Sequence, residues 1–259
     1  MPQLSEVGGK ALSLIRSTAA GIPVPAGFAL SVAFLRPWTD QIKGTPEWRT
    51  LLTDPTPEHC GAVKLLAASL AFKPRQQTAL DDAMGELGDV DLVAVRSSSP
   101  EEDLKGTSFA GMYATYLGTS RDQLAATIAM SYASMFDVRV MAYKQKNGLD
   151  LEGTCISIVV QKQLVSDVSG IGFSLNPLNN CYDETVIEAS FGLGEAIVSG
   201  IVTPDRFVVD KVTRQIREKH INKKMIAMHL GDGGGVVSLI LTSRINRHSP
   251  MQKCVRWQN

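Results

Sequence analysis

A strand-like run that ends in an arginine and a polar, glycine-containing loop constrains this sequence more than any other feature. The apolar and β-branched residues of 90–95 predict a strand, and Arg96 falls where that strand should end. The loop that follows contains Gly106 and Gly111, which let backbone N–H groups approach an anion closely. Because a guanidinium presents a planar fork of donors that matches phosphate oxygens, the run predicts a phosphate site. The alternative interpretation is an arginine that ends a strand beside a polar loop.

A second cluster of small and basic residues lies near the N-terminus. Residues 7–10 read Val-Gly-Gly-Lys and precede apolar residues with helical spacing, so Lys10 is predicted at the start of a helix. A lysine after glycines at a helix start suits an anion, because free N–H groups, the helix dipole and the ammonium point the same way. The segment is not a Walker A loop, since Lys10 is followed by Ala11 and lacks the earlier glycine. A plain helix start is the alternative.

Five segments in order resemble the N-terminal nucleotide-binding domain shared by phosphoenolpyruvate synthase, pyruvate phosphate dikinase and rifampin phosphotransferase, a variant of the ATP-grasp fold. The segments are residues 7–10, 21–28, 95–111, 159–162 and 187–205. The resemblance implies an α+β fold, specifically an ATP-grasp-like two-lobed nucleotide-binding domain that is incomplete at its C-terminal end. It also implies ATP and magnesium as cofactors and an adenine nucleotide as the partner.

The resemblance assigns roles to individual residues. Lys10 and Arg96 would contact the ATP phosphates and carry catalysis, Gly111 and Thr115 would belong to a phosphate-covering loop, and Gln161 would lie at the hinge beside adenine. The residues themselves agree for Gln161, because a buried-looking strand ends there and can offer backbone groups to a ligand. A solvated strand end is the alternative for Gln161.

No residue is assigned to the metal. Glu188 and Glu195 flank a glycine pair and are interpreted as structural residues, with contact to magnesium as the alternative. In the family, the acidic and Gln-x-Arg residues that hold metal and terminal phosphates come from a later segment.

The C-terminal end departs from the family pattern. We expect residues 1–230 to form the dikinase-type AMP/ATP-binding domain and residues 231–259 to be an unrelated, flexible tail. The glycine-rich run 231–235 is interpreted as a linker, because no helix start with Lys or Thr follows it. None of the four histidines lies in the family's Thr-Ser-His motif, and the pyruvate-binding or drug-binding domain is not recognised.

These features leave three hypotheses. The chain is an ATP-binding portion of a phosphotransferase that passes phosphate from ATP to a histidine carrier and then to pyruvate or another acceptor, with the carrier and acceptor domains on a separate chain. Otherwise it is a non-catalytic nucleotide-binding module, or an interaction scaffold without a nucleotide site. The choice among them leaves open whether the chain belongs to an enzyme, and under the first hypothesis we expect it to be inactive by itself.

Composition excludes some functions. The 259 residues carry 26 Lys plus Arg and 26 Asp plus Glu, so no positive field favours nucleic acid or an anionic membrane. The N-terminus lacks signal-peptide features and no apolar run is long enough to span a membrane, so we expect a cytoplasmic protein. The four cysteines are dispersed without a zinc pattern and are predicted to be reduced.

The sequence pattern alternates helices and strands. Apolar stripes predict helices around residues 63–70 and 80–87, and one long helix over 121–146, whereas the prolines of 37–57 predict an irregular segment. The remaining strands are predicted at 155–164, 170–175, 185–190 and 206–211, with the last pairing with 215–221 through a turn.

Overall fold

The computed structural model describes residues 1–101, 109 and 111–241, and it divides into two compact units, residues 1–163 and 164–259. The helices of the first unit are α1 (Leu4–Ala19), α2 (Val32–Lys43), α3 (Pro46–Thr53), α4 (Pro57–Ala68), α5 (Pro74–Glu86), α6 (Leu124–Ala133) and α7 (Val138–Lys146). Its strands are β1 (Gly27–Leu30), β2 (Leu92–Ser98), β3 (Thr115–Ser120) and β4 (Ser157–Lys162). These four strands form an antiparallel sheet in the order β1-β4-β2-β3.

The two faces of this sheet are covered differently. Alternate residues of a strand point to opposite faces, so Val95 and Val160 face the large core that α2 to α7 build. On the other face, Val7 and Ala11 of α1 pack against Val159 of β4. Among the described residues, the helical part of this small second cluster comes from α1.

The second unit contains a four-stranded antiparallel sheet and a hairpin. The sheet has the order β5-β6-β7-β8, formed by β5 (Val168–Phe173), β6 (Glu184–Phe191), β7 (Asp205–Asp210) and β8 (Ile216–His220). The short helix α8 (Glu195–Val198) follows β6, and β9 (Ile226–Leu230) pairs with β10 (Val236–Ile240). The unit's small apolar cluster centres on Ala196, Ile197 and Val202.

Two predictions about helices are wrong. The segment 37–57 is not irregular, because α2 continues through Pro37 to Lys43 and Pro46 and Pro57 lie in the first turns of α3 and α4. Proline is tolerated there, since the first N–H groups of a helix have no partner within it. The long helix over 121–146 is two helices, separated by a 3-10 turn at Ser134–Phe136 and restarted by Asp137, whose carboxylate accepts from the Arg139 N–H at 3.1 Å.

The glycine-rich run at residues 231–235 is also different from the predicted linker. It forms the turn between β9 and β10, where the Gly231 N–H donates to the Gly235 carbonyl at 3.2 Å and the Gly234 N–H to the Gly231 carbonyl at 3.0 Å. The predicted tail therefore begins within a hairpin, and residues 242–259 of it lie outside the described residues.

Two expectations about secondary structure are confirmed. The predicted helical stripes belong to α4 and α5, and β7 pairs with β8 as expected. Among the described residues, no helix combines the length and apolar character needed to cross a bilayer. Cys60, Cys155 and Cys181 are unpaired thiols, and Cys254 lies outside the described residues.

Candidate functional site

The start of the helix that carries Lys10 is bound to the end of β2. Gly8 has φ +73° and ψ 172°, which breaks α1 into a first turn and a longer helix that begins at Gly9. The Ala11 N–H donates to Ser98 Oγ at 3.1 Å, while the Gly9 N–H donates to the Ser99 carbonyl at 3.4 Å. Lys10 is therefore held at a helix start beside the residues that follow Arg96 in sequence.

These bonds correct the prediction of a helix start with free N–H groups. Two of its backbone donors already bind serine oxygens, so an anion at this helix start would have fewer N–H groups than the sequence suggested. Ser98 makes the connection, because its hydroxyl also donates to the Val7 carbonyl at 2.7 Å. The hydroxyl of Ser157 in β4 contacts the same carbonyl.

Gly8 is required at this junction for two reasons. Its positive φ with extended ψ is a conformation that essentially only glycine adopts. A Cβ at this position would also lie 2.5 Å from Ser98 Oγ and closer still to the Ser98 carbonyl oxygen. The glycine therefore allows α1 to approach β2 closely.

Arg96 and Gln161 meet on the sheet face that α1 partly covers. The Arg96 Nη1 donates to Gln161 Oε1 at 3.4 Å, and Gln161 Nε2 donates to the Pro25 carbonyl at 3.0 Å. Gln161 is 7% exposed, so it is not the solvated strand end that was the alternative interpretation. Because a guanidinium has five N–H donors and this bond uses one, most of the Arg96 donors are not engaged by Gln161.

Among the residues that the structure describes, no carboxylate forms a salt bridge with Arg96. Its side chain is half-buried. A partly desolvated cation without an anionic partner attracts an anionic ligand strongly.

Thr115 lies next to Arg96, and Gly111 lies in the segment that precedes Thr115. Thr115 opens β3 directly opposite Arg96 in the antiparallel register, so both side chains share one face. Gly111 is exposed, has φ +72°, and lies four residues before Thr115. Gly106, the other glycine of the predicted phosphate loop, lies outside the described residues.

An apolar cleft of about 590 Å³ borders Gln161. Its walls come from α1, the segment 24–29 and β4, and include Leu14, Ile15, Phe28 and Val159. A mostly apolar cavity with one fixed amide at its edge suits a flat, weakly polar ring such as a nucleobase. The cleft was not predicted, because two of its walls lie near the N-terminus whereas β4 lies more than a hundred residues later.

The described residues do not assemble a metal centre. No group of three or more His, Cys, Asp or Glu side chains that could hold an ion occurs in the part of the chain that the structure describes. Glu188 lies in β6 opposite Arg206, and Glu195 begins α8.

Sequence comparison places these features in a known family. Residues 4–250 match the family described as "Pyruvate phosphate dikinase, AMP/ATP-binding domain". The match therefore extends beyond residue 230, the predicted end of the domain.

Several curated proteins are similar to the chain. A probable phosphoenolpyruvate synthase of Pyrococcus abyssi is 34% identical over 280 residues, which covers 90% of this chain and 34% of the relative. An uncharacterized phosphotransferase of Bacillus subtilis, YvkC, is 37% identical, with 85% of this chain and 25% of the relative covered. The prodigiosin synthesizing transferase PigC of Serratia marcescens is 33% identical, with 94% and 26% covered.

The chain thus spans about a third or less of the length of these relatives. The family match nevertheless covers most of its own length, including every segment that positions Lys10, Arg96, Thr115 and Gln161. The chain therefore belongs to the pyruvate phosphate dikinase AMP/ATP-binding domain family.

Proposed function

We propose that the chain binds ATP on the α1 side of the first sheet, with Arg96 as the principal phosphate ligand. The observation that carries this proposal is the contact of Arg96 with Gln161 at 3.4 Å on a sheet face where no described carboxylate pairs with the guanidinium. This arrangement orients a cation that no described carboxylate neutralises, which suits recognition of a polyphosphate.

The other site residues receive roles that fit their positions. Lys10 binds the phosphates from the helix start beside β2, and Gly111 and Thr115 contribute to the loop that covers them. Gln161 and the adjoining apolar cleft receive the adenine, since the Gln161 amide is held by Pro25 and Arg96.

Magnesium belongs to the proposal as the counter-ion of the ATP phosphates. Mg²⁺ in such sites keeps several waters and binds phosphate oxygens with only one or two carboxylates, so it does not need a protein cage. Because the described residues hold no cluster of three potential ligands, we assign no protein ligand to the ion.

The proposal extends to a phosphotransferase role. Relatives of this chain are called phosphoenolpyruvate synthases and phosphotransferases. ATP bound here would pass phosphate to a histidine carrier and then to pyruvate or another acceptor, with carrier and acceptor sites supplied by other domains, for example on a separate chain. A cytoplasmic location stays a prediction.

Isothermal titration calorimetry of the 259-residue chain with ATP and magnesium tests ATP binding. We expect saturable heat with ATP, and we expect the Arg96→Ala and Lys10→Ala variants to bind ATP more weakly while retaining the unfolding temperature of the unchanged chain. Arg75→Ala, an exposed arginine in α5, is the matched control and should bind like the unchanged chain. An unchanged chain that gives no heat and no thermal shift at millimolar ATP would refute the proposal and favour the scaffold hypothesis.

A further inference from the structure

A lysine with no exposed surface lies in α7, away from the residues assigned to the nucleotide. The side chain of Lys144 is 0% exposed, and its ammonium donates to Glu101 Oε1 at 2.8 Å, Thr154 Oγ1 at 2.6 Å and the Asp150 carbonyl at 3.4 Å. All three ammonium donors therefore have partners. A buried ion pair of this kind is rarely the most stabilising choice, because apolar side chains of similar size often replace such pairs without loss of stability.

Glu101 connects this ion pair to the candidate nucleotide site. The Glu101 N–H donates to Ser99 Oγ at 3.1 Å, and Ser99 Oγ donates to the Cys155 carbonyl at 3.4 Å. The Ser99 carbonyl in turn accepts the Gly9 N–H at 3.4 Å, at the helix start that precedes Lys10. Ser99 is completely buried and lies three residues after Arg96. The connection thus runs from Glu101 through Ser99 to the helix start, by one bond of 3.1 Å and one longer bond of 3.4 Å.

We propose that Lys144 is a positioning residue for the nucleotide phosphates. Its ion pair anchors the side chain of Glu101, and the Glu101 N–H binds Ser99 Oγ. The Ser99 carbonyl binds the Gly9 N–H and so holds the helix start that bears Lys10 beside the strand end that bears Arg96. This inference rests on the proposed binding of ATP by that site. It explains why an ion pair occupies a position that apolar packing could fill, because a directional bond sets the geometry of the segment more sharply than apolar contact does.

The test separates positioning from stability with a paired replacement. Lys144→Met alone leaves Glu101 without its cation and should destabilise the fold. The double variant Lys144→Met with Glu101→Leu removes both charges and should regain most of the unfolding temperature. Lys146→Met, at an exposed position two residues further along α7, is the matched control. Calorimetry with ATP and magnesium, and separately with adenosine, gives the affinity of each folded variant for the whole nucleotide and for the part without phosphates.

We expect the double variant to bind ATP about tenfold more weakly, the scale found for residues that act through others, while its affinity for adenosine stays near that of the unchanged chain. Ser99→Ala removes the hydroxyl that accepts the Glu101 N–H. This variant should show the same selective loss of ATP affinity even if the double variant does not fold. Unaltered ATP affinity in either folded variant, or equal loss of ATP and adenosine, would overturn the inference. If the unchanged chain binds no ATP, the proposed function itself fails.

Discussion

Replacing Arg96 by lysine preserves the positive charge on the sheet face but removes the guanidinium fork. In the structure one Arg96 nitrogen contacts Gln161 Oε1 at 3.4 Å, which is long for a hydrogen bond and contributes little to the stability of the fold. The guanidinium donors not engaged by Gln161 are the ones that would bind phosphate oxygens. A lysine ammonium offers a point charge on a shorter reach and cannot contact Gln161 and a phosphate in the same plane.

The expected loss follows from one or two charged hydrogen bonds. A hydrogen bond to a charged group contributes about 1.5–3 kcal/mol, which corresponds to about a 10- to 150-fold increase in the dissociation constant for ATP. Adenosine has no phosphates, so its affinity should change little. The free energy of unfolding should also stay close to that of the unchanged chain, since Arg96 forms no salt bridge among the described residues.

Calorimetric titrations of ATP with magnesium and of adenosine measure both affinities, and urea denaturation measures the stability. Arg75→Lys in α5 controls for the loss of an exposed guanidinium. Equal weakening of both ligands by Arg96→Lys, or a loss of several kcal/mol in stability, would show that Arg96 is a structural residue and that the phosphate argument is wrong.

Local patterns predicted several strands of this protein, although β3, β9 and β10 were not among them. The β-branched and apolar runs that became β2, β4 and β6 were recognised within a few residues, and the pairing of β7 with β8 follows from a short turn between them. These elements depend on neighbouring residues, so a single sequence contains the information needed to place them.

The helical errors came from residues whose effect depends on position within an element. Proline suits the first turn of a helix, and the capping hydroxyls of Thr45 and Thr56 mark Pro46 and Pro57 as helix starts. Proline usually interrupts a helix interior, but α2 continues through Pro37. Asp137 lies inside the single long helix that the apolar pattern predicts, but its carboxylate caps the start of α7. In the first case the caps mark helices where the prolines predict none, and in the second a cap divides a helix that the apolar pattern predicts as continuous.

The candidate site was predicted residue by residue but not as an arrangement. The sequence supplied Lys10, Arg96, Thr115 and Gln161, whereas their proximity depends on the strand order β1-β4-β2-β3 and on the register of β2 with β3 and β4. Arg96 and Gln161 are 65 residues apart in sequence. The sequence pattern does not single out the serines that bind the helix start, because small polar residues are common in strands. They gain their role from the close approach of Gly8 to β2.

Two further predictions concern the stability of the first unit, both measured by chemical denaturation. Gly8→Ala should lower the free energy of unfolding by at least about 1–3 kcal/mol, because alanine is strained at φ +73° and its Cβ meets the last residue of β2, whereas Gly85→Ala in α5 has open space and should be neutral or slightly stabilising. Equal stability of the two variants would refute the close-approach argument. Acid should remove the contribution of the Asp137 carboxylate to stability. Burial raises the pKa of Asp137, but hydrogen bonds from Lys64 and Arg139 outweigh it and lower that pKa from 3.8 to about 2. Because the pKa is lower in the folded than in the unfolded state, the carboxylate stabilises the fold fully above about pH 4, and this contribution is lost as the pH falls through 2. Asp137→Asn should therefore be less stable than the unchanged chain at pH 6, and the difference should shrink towards pH 2. A difference that stays constant over this range would mean that the charge of Asp137 is not what stabilises the start of α7.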